Sequence, residues 1–407
     1  MKLILPQPTV ESLDAERQLD RLAACRLQAF DPAVTGFLAA FAERILGDRT
    51  LRAHPEIVAL AYWFRPAAIA ALQTRYAELG RQGLLRPRGV VFHIAPANVD
   101  SVFVYSWFLS LLCGNRNIVR ISDRDSPHRD RLLDVLGELL ARPEHARVCE
   151  ANAVLSYARD DAVTAAISQR CLLRVVWGGD ATVTHVRKIP LPPLATELVF
   201  PNRISWAMFA ADKLAEADDK TLAQLSGAFY NDAFWFAQQA CSSPRAVLWI
   251  GTPTQIEAAR TRFWRAIADE LQRRAEAADP SQLAERLVAA HDASANQPVK
   301  LESALQDWPL RLAVEDFGDA PRAGHCGYGL FYELQRADLG SAAALFRAED
   351  QTLAYWGFER ETLAAWIADL PDRALDRVVP VGQALRFADR WDGHDLLLAF
   401  SRLVVVE

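Results

Sequence analysis

Between Gly89 and Trp177 the chain alternates short apolar runs with longer stretches of helical character. The runs 90–94, 117–121, 153–157 and 172–177 have the length and β-branched content of buried strands. Between them, helices are predicted over 101–113, ended by Gly114, over 127–141, opened by Ser126, and over 160–169. Upstream, Asp31 and Pro32 read as N-cap and first residue of a helix carrying Phe37, Phe41 and Ile45 on one face. This β-α-β-α-β order predicts a parallel sheet wrapped by helices. A second α/β region begins near Ser205, with a helix over 221–239, a strand over 247–250 and a long helix opened by Thr252 and Pro253. Residues 275–297 read as a helix followed by a surface loop, and no internal repeat is present.

At 407 residues and 51% hydrophobic composition, the chain can bury large cores in two or three domains. A net charge of -6 gives no basic surplus for nucleic acid or anionic lipid, so neither is expected as a partner. Residues 1–4 hold one lysine and are stopped by Pro6, which is not a signal peptide, and the apolar stretch 102–113 is too short for a membrane span. A soluble, cytoplasmic protein is expected.

Six cysteines, at 25, 113, 149, 171, 241 and 326, include no C-x-x-C pair, so neither a zinc site nor a disulfide framework is predicted. Buried cysteine usually serves as a small hydrophobe. Cys241 differs, because it lies just past a helical segment and is followed by Ser242, Ser243, Pro244 and a strand-like run, as a positioned nucleophile would be. Its rival, Cys326, sits in Gly324-His325-Cys326-Gly327-Tyr328-Gly329, where the glycines suggest a turn.

No G-x-G-x-x-G follows a predicted strand. Gly178, Gly179 and Asp180 do follow one, and glycines at a helix amino terminus let a phosphate approach backbone N–H groups, although a plain β-α turn uses the same residues. Asn98, in Pro96-Ala97-Asn98, falls at the carboxyl end of a strand, where its amide can donate to an oxyanion or simply serve a turn. Arg120 ends the next strand and suits ribose or phosphate contact, or solvent. His93 can orient the nucleophile's surroundings or donate to substrate, but it points inward from a strand, the usual place of a satisfied core histidine.

Taken in order, Pro96-Ala97-Asn98, Gly114-Asn115 with Arg120, Trp177-Gly178-Gly179-Asp180, Asn231, Gln239 and Cys241 resemble the aldehyde dehydrogenase superfamily. His93-Ile94-Ala95-Pro96-Ala97-Asn98-Val99, Phe64-Arg65, the segment from Asp376 to Ala384 and Trp391-Asp392-Gly393 are more specifically similar to LuxC-type acyl-CoA reductases. The resemblance implies an α/β fold with a Rossmann-like NAD(P)-binding domain over 1–204, a second α/β catalytic domain over 205–375, and a tail over 376–407 returning to the first. It also implies Cys241 as nucleophile in preference to Cys326, Asn98 in the oxyanion hole, and Arg120, Gly178, Gly179, Asp180 and Glu315 at the cofactor. Asp180 stands where the superfamily often has serine, and an aspartate there would repel a diphosphate.

Hydrolytic relatives carry a general base in a Glu-Leu-Gly-Gly-Lys run, where this chain has Glu197-Leu198-Val199-Phe200-Pro201-Asn202-Arg203. If Arg203 takes the place of the lysine, Val199 takes that of the base; if Glu197 itself takes it, the glycines are lost. Without activated water, hydride rather than hydroxide resolves an acyl-cysteine. The resemblance therefore implies NADPH-dependent reduction of an acyl thioester to an aldehyde, with NADH the alternative cofactor and Arg124 and Asp123 of opposite effect on a 2′-phosphate. Acyl-CoA or an acyl-carrying protein is the implied partner, in a homo-oligomer, with no metal. An aldehyde-oxidising dehydrogenase using Glu197, or a non-catalytic acyl-binding subunit, are the competing expectations.

Overall fold

The computed structural model describes residues 1–6, 12–96, 102–124, 126–274 and 279–407. They form two compact units, residues 1–202 with 387–407, and residues 203–386.

In the first unit, Val90–Ile94 pairs in parallel with Arg116–Ile121 on one side and Leu173–Trp177 on the other. Asn152–Ser156 and Thr196–Phe200 extend the two sides in parallel, and Lys2–Leu5 closes one edge antiparallel. Successive strands move outward on one side before the chain crosses to the other, so strand order reverses between Val90–Ile94 and Leu173–Trp177. Such a reversal opens a crevice at the carboxyl ends of the strands.

Both faces of this sheet are covered, which is why its strands read as unbroken apolar runs; Val90–Ile94 and Leu173–Trp177 are buried throughout. The helix Val102–Leu112 is buried from Phe103 onward, as expected of a helix apolar on all sides. Among the described residues no single helix is long and apolar enough to cross a membrane. Gly114 ends that stretch at φ +82°, and a Cβ there would lie 2.7 Å from the backbone of Gln28. The predicted Asp31 cap is present, accepting the Ala33 N–H at 3.0 Å, and Pro32–Gly47 buries Phe37, Phe41 and Ile45.

The second unit is built on a seven-stranded sheet. Its central strands Leu330–Arg336, Pro244–Ile250, Ile204–Ala210 and Asp350–Trp356 are all parallel. Alternation along Ile204–Ala210 sends Trp206 and Met208 into one core with Leu248, Tyr332 and Leu353. Ala207 and Phe209 enter the other, against Phe229 of Asp219–Ala233 and Phe263 of Pro253–Arg273.

Two boundaries depart from expectation. The helix predicted over 221–239 ends at Ala233, because Phe236 and Ala237 take left-handed backbone angles. The return to the first unit begins at Phe387 rather than Asp376, because Arg377–Pro380 is a strand paired in parallel with Asp350–Trp356. Beyond it, Ser401–Val404 pairs with Leu84–Pro87, and the ring of Phe387 stacks 5.0 Å from that of Tyr105.

Candidate active site

The crevice at the strand-order reversal is a cleft of about 590 Å³, lined by Arg120, Ser122, Asp123, Arg124, Gly178 and Gly179 among others. That size lies within the roughly 300–1,000 Å³ of small-molecule and cofactor sites. Arg120 donates to the Tyr157 carbonyl at 3.2 Å and lies over the Tyr157 ring, which directs its guanidinium along the cleft wall. The loop bearing Asp123 and Arg124 is held by Arg129, whose guanidinium donates to the carbonyls of Ser122 and Arg124.

Gly179 is the N-cap of the helix Asp180–Arg187 and has no side chain to accept the first N–H groups. Those donors and the helix dipole suit an anion. Packing is also tight here, since a Cβ on Gly178 would meet the Thr182 side chain at 3.1 Å and one on Gly179 the Asn202 side chain at 3.3 Å, so either neighbour would have to shift by a few tenths of an ångström. Asp180 is not among the residues lining the cleft, and its carboxylate accepts the Asn202 backbone N–H at 3.0 Å. Arginines, a hydroxyl and an uncapped helix terminus at the carboxyl edge of a parallel sheet form a donor set that fits a dinucleotide.

His93 lies behind this cleft in a buried chain of hydrogen bonds. Trp177 Nε1 donates to Ser106 Oγ at 3.1 Å, and Ser106 Oγ is 2.9 Å from His93 Nδ1. His93 Nε2 lies 3.0 Å from Asn117 Oδ1, and Asn117 Nδ2 donates to Asn152 Oδ1 at 3.0 Å. The neighbours set the tautomer, with the proton on Nε2 and the Ser106 hydroxyl donating to Nδ1. Burial pushes the imidazole down to about 4 and keeps it neutral. His93 thus organises the core beneath the cleft. Asn98 lies outside the described residues.

In the second unit, Cys241 is half-buried at the amino end of the strand Pro244–Ile250. Phe236, Ala237 and Gln238 precede it with φ of 55°, 50° and 63°, a left-handed run unusual for residues other than glycine. A partner loop holds this turn. Gln238, fully buried, donates to the carbonyls of Pro244 at 2.7 Å and Leu330 at 3.1 Å and accepts the Gly329 N–H at 2.8 Å. The Tyr328 N–H donates to the Ala237 carbonyl at 2.8 Å, and Gln239 Nε2 donates to the Cys326 carbonyl.

Around Cys241 the donors converge. Ser205 Oγ donates to its carbonyl at 2.7 Å, and Gln351 Nε2 donates to its Sγ at 3.5 Å. The guanidinium of Arg245, its Nε buried without a hydrogen-bond partner, interacts electrostatically with Cys241 and Cys326. Burial pushes the Cys326 thiol up to about 11, whereas a nucleophilic cysteine requires a stabilised thiolate. Beside it, burial and the Arg245 charge hold His325 well below the usual imidazole range, with Nδ1 accepting the Gly327 N–H.

Glu197 and Glu315 complete the candidates. Glu197 pairs with buried Arg174 at 3.0 Å, and Arg174 also donates to Ser168 Oγ and to the Ile189 carbonyl. Both residues lie toward the amino ends of their strands, opposite the cleft. Glu315 is exposed just past the strand Leu310–Ala313, its backbone carbonyl accepting Arg336. The segment that reaches the cysteine loop is 326–330. Arg245, Gln351 and Arg129 were not singled out by the sequence pattern. Arg245 gives the one readable hint, a lone cation at the head of an apolar strand.

No curated protein matches the chain. Its fold is similar to aldehyde dehydrogenase 21 of Physcomitrella patens, solved with succinate, at TM-score 0.69 and 11% identity over 94% of this chain and 85% of that one. It is also similar to glyceraldehyde-3-phosphate dehydrogenase of Methanocaldococcus jannaschii, solved with NADP, at TM-score 0.68 and 12% identity over 98% and 94%. For an NAD-dependent aldehyde dehydrogenase of Sinorhizobium meliloti the values are 0.62 and 16% over 92% and 80%. These likenesses establish an aldehyde dehydrogenase fold. The family model of acyl-CoA reductase (LuxC) matches residues 74–315. With most of its length covered by that match, the chain belongs to the LuxC acyl-CoA reductase family.

Proposed function

We propose that this protein reduces an acyl thioester to an aldehyde through an acyl-cysteine on Cys241, using NADPH or NADH bound at the cleft beside Arg120 and Gly179. The observation that carries the choice of direction is the pairing of Glu197 with Arg174. A carboxylate held by a buried guanidinium at the amino end of its strand is a poor base for activating a deacylating water.

In this reading the Cys241 thiolate attacks the thioester carbonyl, the C–S bond to the carrier breaks, and the carrier leaves as a thiolate that takes a proton from solvent. Arg245 contributes fixed positive charge to the thiolate, and the interlocked turn keeps Sγ at one position. Arg120, Ser122 and the amino terminus of Asp180–Arg187 would hold the diphosphate and ribose of the cofactor. A reduced nicotinamide held there would supply the hydride that turns the acyl-cysteine carbonyl into a thiohemiacetal oxyanion. Collapse of that species restores the thiolate and releases aldehyde. Acyl-CoA, or an acyl group carried on a protein, is the donor.

The test is consumption of NADPH and of NADH by the purified protein over a series of acyl-CoA chain lengths, with the aldehyde trapped and Cys241→Ala run in parallel. Aldehyde formation that the variant loses supports the reductase. Reduction of NAD(P)+ on addition of aldehydes, with no acyl-CoA turnover, would transfer the reading to an oxidising dehydrogenase.

A further inference from the structure

We propose that the Gln351 carboxamide is the side-chain donor that stabilises the Cys241 thiolate. This rests on Cys241 being the nucleophile and adds to that reading a second residue in contact with the reacting sulfur.

Three observations carry it. The carboxamide is aimed, since Nε2 donates to Cys241 Sγ at 3.5 Å while Oε1 accepts Ser242 Oγ at 3.0 Å and Thr352 Oγ1 at 3.4 Å. With both hydroxyls donating to the oxygen, the amide nitrogen faces the sulfur. Gln351 is also buried, leaving 1% of its surface exposed, so water competes little for that N–H.

Its backbone is anchored as well. The adjoining Asp350, itself buried, is gripped by Arg322 at 2.7 and 3.1 Å, by Trp206 Nε1 at 2.8 Å and by the Arg347 N–H at 2.7 Å. A donor held this firmly favours the thiolate over the thiol, because the anion accepts the hydrogen bond more strongly. Charged or titratable groups facing the same region are Arg245 at the head of the strand and His325 and Cys326 on the partner loop. All three stay in place when Gln351 is changed, so a shift on substitution reports the carboxamide.

The experiment is the pH dependence of iodoacetamide alkylation at Cys241, read by mass spectrometry of its peptide, in the wild type, Gln351→Leu, Gln351→Glu and Ser242→Ala. Thermal unfolding confirms that each variant is folded. Loss of a hydrogen bond to a charged acceptor should raise the pH of half-maximal alkylation by about one unit in Gln351→Leu. Gln351→Glu, which sets a carboxylate against the sulfur, should raise it at least as far, and Ser242→Ala by less. If Gln351→Leu does not fold, the other two carry the test.

An unmoved midpoint in the folded Gln351 variants would overturn the proposal, even with Cys241 still essential for turnover. Conversely, reductase activity surviving in Cys241→Ala would remove the catalytic reading while leaving the alkylation shift measurable.

Discussion

Glu197 and Arg174 face each other across neighbouring strands at 3.0 Å, with 15% and 2% of their side chains exposed. The pair ties together the amino ends of two neighbouring strands. Glu197→Ala leaves a buried guanidinium short of its counter-charge, and should lower the unfolding free energy by about 2–4 kcal/mol. Denaturant titration measures this. Acyl-thioester reduction by the folded variant should stay within about threefold of wild type, as expected of a residue outside the reacting groups. A folded variant with no reductase activity would return Glu197 to the chemistry.

Cys241 and Cys326 are separated by their surroundings. Cys241→Ala should cut aldehyde formation by at least about 10³-fold, the scale of losing a covalent nucleophile. Cys326→Ser should keep most of it, because burial holds that thiol protonated up to about pH 11. Initial rates of NADPH or NADH oxidation distinguish the two.

The buried neutrality of His93 gives the first unit an acid limit. Its folded value of about 4 lies below the ordinary 6.5, so the unfolded chain binds the extra proton between those values. The contribution of His93 is complete above pH 6.5 and is lost as pH falls toward 4. Urea unfolding midpoints should decline over that window, and His93→Gln should flatten the decline.

Asp232 acts with the opposite sign in the second unit. Burial pushes its carboxyl up to about 7, against the lowering effect of N–H donors from Gly382 and Ala384. A group whose folded value is raised contributes stability below its unfolded value of 3.8 and loses it as pH rises through 7. Unfolding free energy of the wild type relative to Asp232→Asn should therefore fall between about pH 4 and 7. A pH-independent difference would contradict this.

Much of the first unit is legible in the sequence, because strands covered on both faces leave repeating apolar runs and Asp31, Ser126 and Asp160 cap helices by local hydrogen bonds. The end of the helix at Ala233 is not. Phe236, Ala237 and Gln238 carry no glycine or asparagine to announce positive φ, and their shape comes from residues 328–330. Gln351 is hidden for a similar reason, since it meets Cys241 only through the parallel pairing of Asp350–Trp356 with Ile204–Ala210.

The dependence of the cysteine turn on a distant loop bears on how the protein is made. Gln238 bonds to Gly329 and Leu330, some 91 and 92 positions later in the chain. On a ribosome, Cys241 emerges well before the residues that set its backbone, and for that interval it is an ordinary cysteine on a loose segment. Its special position is acquired only when the later segment docks, so a truncated product ending before that point would carry the thiol without the geometry that directs it.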